Sequence, residues 1–193
     1  ADPVICRDCD GAVRIDAGAG VHVRVTIDGS EPSVASPFYS RPIPLPRGGT
    51  VTAVVLAVDN PGVLVPSDVV TVRRRFGLAK AAWKAIGKDD GAARAFDEEP
   101  ATAWQSPQGE DYPHDLCIDL GEVHDVTGFS YLPRQHARNA SGYVERYRFY
   151  VSVSPDEWGK PVVEGRFDNI RNNPIQQVAE FAPLTGRYVR FEA

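Results

Sequence analysis

Val21-His22-Val23-Arg24-Val25-Thr26-Ile27 alternates apolar and polar side chains along its length, and Asp28-Gly29 follows it. A period of two marks a half-buried strand, because successive side chains point to opposite faces. Asp-Gly tolerates positive φ and suits the turn that ends such a strand. Outward from this stretch the pattern recurs. Ala12 to Ile15 alternates before it; after it, Thr50 to Val58 and Val69 to Phe76 are β-branched runs. Pro42, Pro44 and Pro46 exclude a central strand between them, since proline cannot donate to a ladder. Five or six short strands in this span match a small β-sandwich.

The remainder of the chain reads the same way. Leu116 to Leu120 is ended by Gly121, and Phe129 to Leu132 by Pro133. Tyr147 to Ser154 alternates strictly until Pro155-Asp156, and Gln177 to Phe181 and Arg187 to Phe191 complete the set. In the last of these, Tyr188 and Arg190 share one face. Ala79 to Ile86 is read as a strand or turn that tucks Trp83 into a core. The chain is therefore expected to be all-β. Its 17 Gly and 16 Pro punctuate nearly every apolar run, which disfavours long helices.

Composition sets further limits. With 42 % hydrophobic and 24 % charged residues in 193, the chain is not of the disordered type. Its apolar runs fall short of the roughly 20 residues that span a membrane as a helix. A formal charge of −5 argues against nucleic acid as a partner, because phosphate binding needs clustered cations. Residues 1–77 are charge-neutral and residues 78–193 carry the whole −5, so two modules are expected, 1–77 and 78–193. The chain contains no Met and opens on Ala1, as a processed chain or an excised piece of a longer one would. No basic start with an apolar core marks a signal peptide. Cys6 and Cys9 read as free thiols or a tight disulfide, and Cys117 as a buried thiol.

Two sets of residues carry family resemblances. Val25-Thr26-Ile27-Asp28-Gly29-Ser30-Glu31-Pro32, then Ser36, Tyr39, Pro42-Ile43 and Thr50-Val51-Thr52-Ala53, resemble the fibronectin-like C-terminal module of chitobiases and β-hexosaminidases. Ser33 stands where that pattern has Thr. Ala95-Phe96-Asp97 with Thr102 and Trp104, then Ile118-Asp119-Leu120-Gly121, then Arg187-Tyr188-Val189-Arg190-Phe191-Glu192-Ala193, resemble a discoidin (F5/8 type C, galactose-binding-like) jelly roll. The tandem is similar to the C-terminal region of bacterial α-L-fucosidases, and some β-hexosaminidases carry a similar pair. The resemblance implies a small fibronectin-like β-sandwich followed by a discoidin-type jelly roll. It also implies a secreted or periplasmic glycoside hydrolase whose catalytic domain lies upstream.

The residues argue against catalysis by the chain itself. A glycosidase needs two carboxylates across a sugar, and adjacent acids such as Asp97, Glu98 and Glu99 cannot supply them. No nucleophile elbow, zinc or phosphate-loop motif is present, and His22, His114, His124 and His136 lack ligand spacing. The discoidin resemblance implies a structural calcium held by Asp97, Thr102 and Glu192 with carbonyls near Glu99; calcium takes such hard oxygen ligands. The family's Gly is Glu98 here, a strained substitution if positive φ is required. The other reading of the loop is a metal-free turn capped by Asp97.

Arg134, Gln135, His136, Asn139 and Tyr143 gather in one loop, with His114 ahead of the preceding strand. Donors, acceptors and an aromatic ring in one place suit a hydroxyl-rich ligand, and the resemblance points to glycans with terminal galactose or fucose. Three functional readings follow: a carbohydrate-binding accessory region, a scaffold that buttresses the catalytic domain and binds nothing, and a lectin-like adhesion protein.

Overall fold

A computed structural model describes residues 3–56, 70–87, 91–106, 109, 111–135 and 142–193. The chain divides into two compact units, Ala1–Ala81 and Ala82–Ala193. Both are built from antiparallel strands. Among the described residues the only helix with named bounds is a single 3-10 turn at Ala92–Ala95.

The first unit has two three-stranded sheets. One joins β1 (Val4–Arg7), β2 (Ala12–Asp16) and β4 (Ile43–Pro44); the other joins β3 (His22–Thr26), β5 (Gly49–Leu56) and β6 (Val70–Phe76). Ile5, Val13 and Ile15 from the first sheet pack with Val23, Val25, Val51 and Ala53 from the second, and Val13, Val51 and Ala53 are fully buried. The alternation sends Val13 and Ile15, and Val23 and Val25, into this core, while Arg24 and Thr52, which stand between core positions, are buried as well. The prolines confine β4 to two residues at a sheet edge, where a missing N–H costs no ladder bond.

The Asp-Gly-Ser signature builds a turn. Asp28 Oδ1 accepts the Ser30 N–H at 3.0 Å and the Ser30 hydroxyl at 2.6 Å. Thr26 donates its hydroxyl to the Ser30 carbonyl at 2.5 Å. Ser33 and Ser36 close the next turn, the Ser33 N–H donating to Ser36 Oγ at 2.9 Å.

The second unit is one five-stranded ladder in the order β10 (Val163–Arg166), β9 (Arg146–Ser152), β11 (Gln177–Glu192), β8 (Asp115–Tyr131) and β7 (Lys84–Ile86). Two expectations are corrected here. Gly121 does not end a short strand, and Gln177 to Phe181 and Arg187 to Phe191 are not separate strands: β8 runs 17 residues and β11 runs 16. Their pairing continues through register shifts between Glu180 and Leu184 and between Gly186 and Tyr188. Irregularities of this kind bend a strand without ending it, so each long strand carries its ladder around a corner. The bend is visible in the aromatic core. Phe191 pairs in register with Leu116 near the start of β8, yet its ring lies 6.0 Å from that of Tyr131 at the strand's end. The two ends of β8 therefore share one end of the sandwich. Phe129 stacks on Phe149 at 4.5 Å and Tyr147 on Phe167 at 4.4 Å between them.

Ala79 to Ile86 yields turn and strand, and Trp83 is half-buried against Phe96, with ring centroids 5.8 Å apart. Cys6 and Cys9 are exposed free thiols. Cys117 is half-buried rather than buried, and burial raises its thiol pKa.

Candidate functional site

The site grows from the loop that follows the 3-10 turn. Phe96 anchors it by packing on Trp83. Next, Asp97 Oδ1 accepts the Glu99 N–H at 3.0 Å. The Thr102 hydroxyl lies 2.6 Å from Asp97 Oδ2 and 3.1 Å from the Glu99 carbonyl, which also accepts the Thr102 N–H at 3.0 Å. The Glu99 carboxylate takes the Ala101 N–H at 3.1 Å. Glu98 has φ 62°, so the left-handed geometry that glycine would adopt freely is kept by a glutamate, at a conformational cost.

Three oxygens thus converge: Asp97 Oδ2, Thr102 Oγ1 and the Glu99 carbonyl. Their spacing resembles one edge of an oxygen cage for a hard cation. Glu192, the acid expected to complete such a cage, has other partners. Its carboxylate, buried in the sheet, accepts Arg148 Nη1 at 2.7 Å and Arg190 Nη2 at 3.0 Å, with the Tyr150 hydroxyl at 3.4 Å. None of these belongs to the loop. Among the described residues, no three His, Cys, Asp or Glu side chains gather as a metal group.

Beside the loop lies a concavity of about 310 Å³, lined by Arg94, Ala101, Thr102, Ala103, Gln105 and Arg134. Arg94 comes from the 3-10 turn and Arg134 from the segment after β8. Arg134, expected at a sugar site, and Thr102, expected at a metal site, therefore share one hollow. The described lining offers two guanidinium groups, an amide and a hydroxyl. Arg94 and Gln105 were not singled out in the sequence. An arginine after two alanines and a glutamine after tryptophan carry no signal of their own, because only the folded loop brings them to the hollow.

The other expected sugar residues separate into groups. Gln135 donates its amide to the Pro133 carbonyl at 2.7 Å and the Pro174 carbonyl at 2.9 Å, bracing the loop to a distant segment. Tyr143 is half-buried, and the adjacent Val144 N–H donates to the Tyr131 hydroxyl at 3.1 Å. Burial raises the Tyr131 pKa. His136 and Asn139 lie outside the described residues. His114 stands just before β8, its backbone paired with Ala193 at 3.0 and 2.9 Å. Its ring lies 4.6 Å from that of Tyr112, which is 81 % exposed. An aromatic ring this open is available for stacking, and it was not singled out in the sequence. The three tryptophans are all half-buried.

Two family models match the chain: the F5/8 type C domain over residues 79–193, and the chitobiase/beta-hexosaminidase C-terminal domain over residues 10–70. A sialidase of Micromonospora viridifaciens is 31 % identical over 124 residues, which are 62 % of this chain and 18 % of the sialidase. A galactose oxidase of Gibberella zeae is 31 % identical over 104 residues, 52 % of this chain and 15 % of the oxidase. The chain thus spans less than a fifth of the length of these relatives. Among solved structures, CBM32-3 from a family 31 glycoside hydrolase of Clostridium perfringens superposes with a TM-score of 0.52 at 25 % identity, covering 60 % of this chain and 80 % of that one.

Proposed function

The chain belongs to the F5/8 type C domain family, and from that premise we propose that it is a non-catalytic, glycan-binding accessory region of a secreted or periplasmic glycoside hydrolase. The observation that carries the proposal is the hollow between the Asp97–Thr102 loop and the end of β8. Arg94, Gln105 and Arg134 present hydrogen-bond donors there, and loops held by a rigid sandwich are a usual seat for recognition. The described lining residues are donors and small side chains, which suit the binding of a hydroxyl-rich ligand.

The ligand is a neutral terminal monosaccharide, galactose or fucose, read by hydrogen bonds from the hollow, and the exposed Tyr112 beside His114 offers an aromatic face on the same unit. Its hydroxyls exchange water for protein, so the net gain per bond is small. The catalytic partner is an α-L-fucosidase domain of the same polypeptide, for which the first unit is a spacer. The Asp97–Thr102 loop holds a structural calcium through Asp97, Thr102 and the Glu99 carbonyl. When bound, that cation would neutralise the Asp97 carboxylate and stiffen one wall of the hollow.

A glycan array probed with the 193-residue chain tests the reading. Selective signal on glycans ending in galactose or fucose supports it. A blank array favours a scaffold role, and selectivity for another terminus overturns the choice of sugar.

A further inference from the structure

We propose a second saccharide site, on the first unit, in a groove of about 460 Å³ between Val25–Asp28 and Pro37–Pro44, where a neutral pyranoside lays its C–H face on Phe38 and its hydroxyls on Asp28 and Arg41. The volume is within the usual range for small-ligand sites, roughly 300–1,000 Å³.

The walls of the groove are apolar and open. Ile27 is 49 % exposed and Phe38 45 % exposed, although both flank a closed core. Phe38 is held in place. The Arg24 guanidinium lies 4.1 Å over its ring centroid, and the His22 ring lies 5.6 Å away. Arg24 is itself buried and donates to the Ser36 carbonyl at 2.5 Å. A ring fixed on one face by a buried cation is pre-organised on the other, so a ligand need not spend binding energy ordering it.

The polar groups are set as a sugar would need them. Both Ser30 bonds fall on Asp28 Oδ1, which orients the carboxylate and lowers its pKa. Oδ2 has no partner among the described residues and remains an acceptor. Ser40 and Arg41 line the same groove and supply donors. An extended peptide is a poorer fit. The strand edge beside the groove is already used, the Val25 N–H donating to the Pro37 carbonyl at 3.1 Å and the Tyr39 N–H to the Val23 carbonyl at 2.8 Å. An incoming strand therefore has no free ladder to join. A ligand with a flat apolar face and a hydroxyl rim satisfies both the ring and the charges.

Backbone chemical-shift titration of the full chain with methyl pyranosides of galactose, glucose, N-acetylglucosamine and fucose tests this. The expected result is saturable shifts confined in the first unit to residues 25–28 and 37–44, at about millimolar affinity. Phe38→Ala should abolish them, and Arg41→Ala, at an exposed position, should weaken binding about fivefold, the value of one hydrogen bond. If Phe38→Ala unfolds the unit, Arg41→Ala decides. Arg134→Ala should leave these shifts unchanged, so failure here and failure of the site on the second unit are distinguishable. The proposal is overturned if saturating sugars move no resonance between residues 25 and 44. It is equally overturned if a proline-rich peptide moves them and no sugar does.

Discussion

Asp119 and Arg187 face each other as a fork, Arg187 Nε 2.8 Å from Oδ1 and Nη2 2.9 Å from Oδ2 of the carboxylate. Asp119 Oδ1 also accepts the Gly121 N–H at 2.8 Å. One carboxylate thus ties the corner of β8 to β11, which explains why an Asp-Leu-Gly and a distant Arg-Tyr-Val-Arg occur together. The bidentate geometry suits arginine and not lysine. Arg187's hydrogen bonds hold the Asp119 carboxyl below its ordinary 3.8.

The sign of the pH dependence follows. A carboxyl whose folded pKa is depressed contributes stability that is complete above its unfolded value, and loses it as pH falls through the folded value. Denaturant unfolding across the acid range should show stability falling below about pH 4. Asp119→Asn should flatten part of that slope and lower stability at neutral pH. An unchanged acid limb in the variant would remove Asp119 from the account. Arg187→Lys should destabilise the unit although the charge is kept.

Alternation and turn dipeptides made β2, β3, β5, β6 and β9 legible from sequence to within a few residues. What they could not give was continuity. Gly121 read as a stop, and Gln177 to Phe181 and Arg187 to Phe191 read as two strands, because sequence pattern registers local conformation and not the partner strand. Here the partner continues on the other side, and the ladder bends instead of breaking. The site was legible in part for the same reason. Thr102 carried a family signal and Arg134 stood in a loop rich in donors and acceptors, whereas Arg94, Gln105 and Tyr112 became candidates only through position in the fold. Glu192, a ligand that the resemblance implies, stands opposite Arg148 in the strand register, a partner that sequence pattern does not show.

The bends leave little room at two glycines. A Cβ on Gly128 would lie 2.5 Å from the Ala179 carbonyl oxygen of the paired strand, and one on Gly186 would collide with Val151. Overpacking of this kind costs about 1–3 kcal/mol. Gly128→Ala and Gly186→Ala should each lower the unfolding midpoint in denaturant with little change in slope. Wild-type stability in either variant would mean that the two long strands shift without cost.

Calcium added to metal-stripped protein should raise the melting temperature. A ligand that binds only the folded state at a hundredfold excess over Kd contributes about 2.7 kcal/mol. Asp97→Ala should abolish the shift. Glu192→Gln should lower the baseline stability, because it removes the counter-charge of Arg148 and Arg190, yet leave the calcium response in place. Identical melting in calcium and in chelator would reject the metal, and loss of the response in Glu192→Gln would restore Glu192 to the ligand set.

No hydrolysis of nitrophenyl fucosides or hexosaminides by this chain is expected. Turnover that survives repurification and disappears on replacing one of its own carboxylates would overturn that expectation.

The sugar site separates its residues by role. Arg134 and Arg94 line the hollow directly, so Arg134→Ala and Arg94→Ala should each weaken monosaccharide binding about three- to tenfold, the equivalent of roughly 0.5–1.5 kcal/mol for a lost hydrogen bond. Tyr112 is exposed beside His114, and if the sugar's apolar face rests there, Tyr112→Ala should reduce affinity more than either arginine change while the melting temperature stays put. Tyr143 is half-buried next to the Val144–Tyr131 hydrogen bond, so Tyr143→Ala should lower affinity and stability together. Gln135 braces Pro133 and Pro174; Gln135→Ala should act through the loop, lowering affinity without removing any one hydroxyl preference. Calorimetric titration against deoxy and fluoro analogues distinguishes these cases, because a direct contact loses discrimination at one hydroxyl and a brace loses affinity evenly. If Tyr112→Ala is neutral and Arg134→Ala changes nothing, the hollow is a surface feature and recognition lies elsewhere on the second unit.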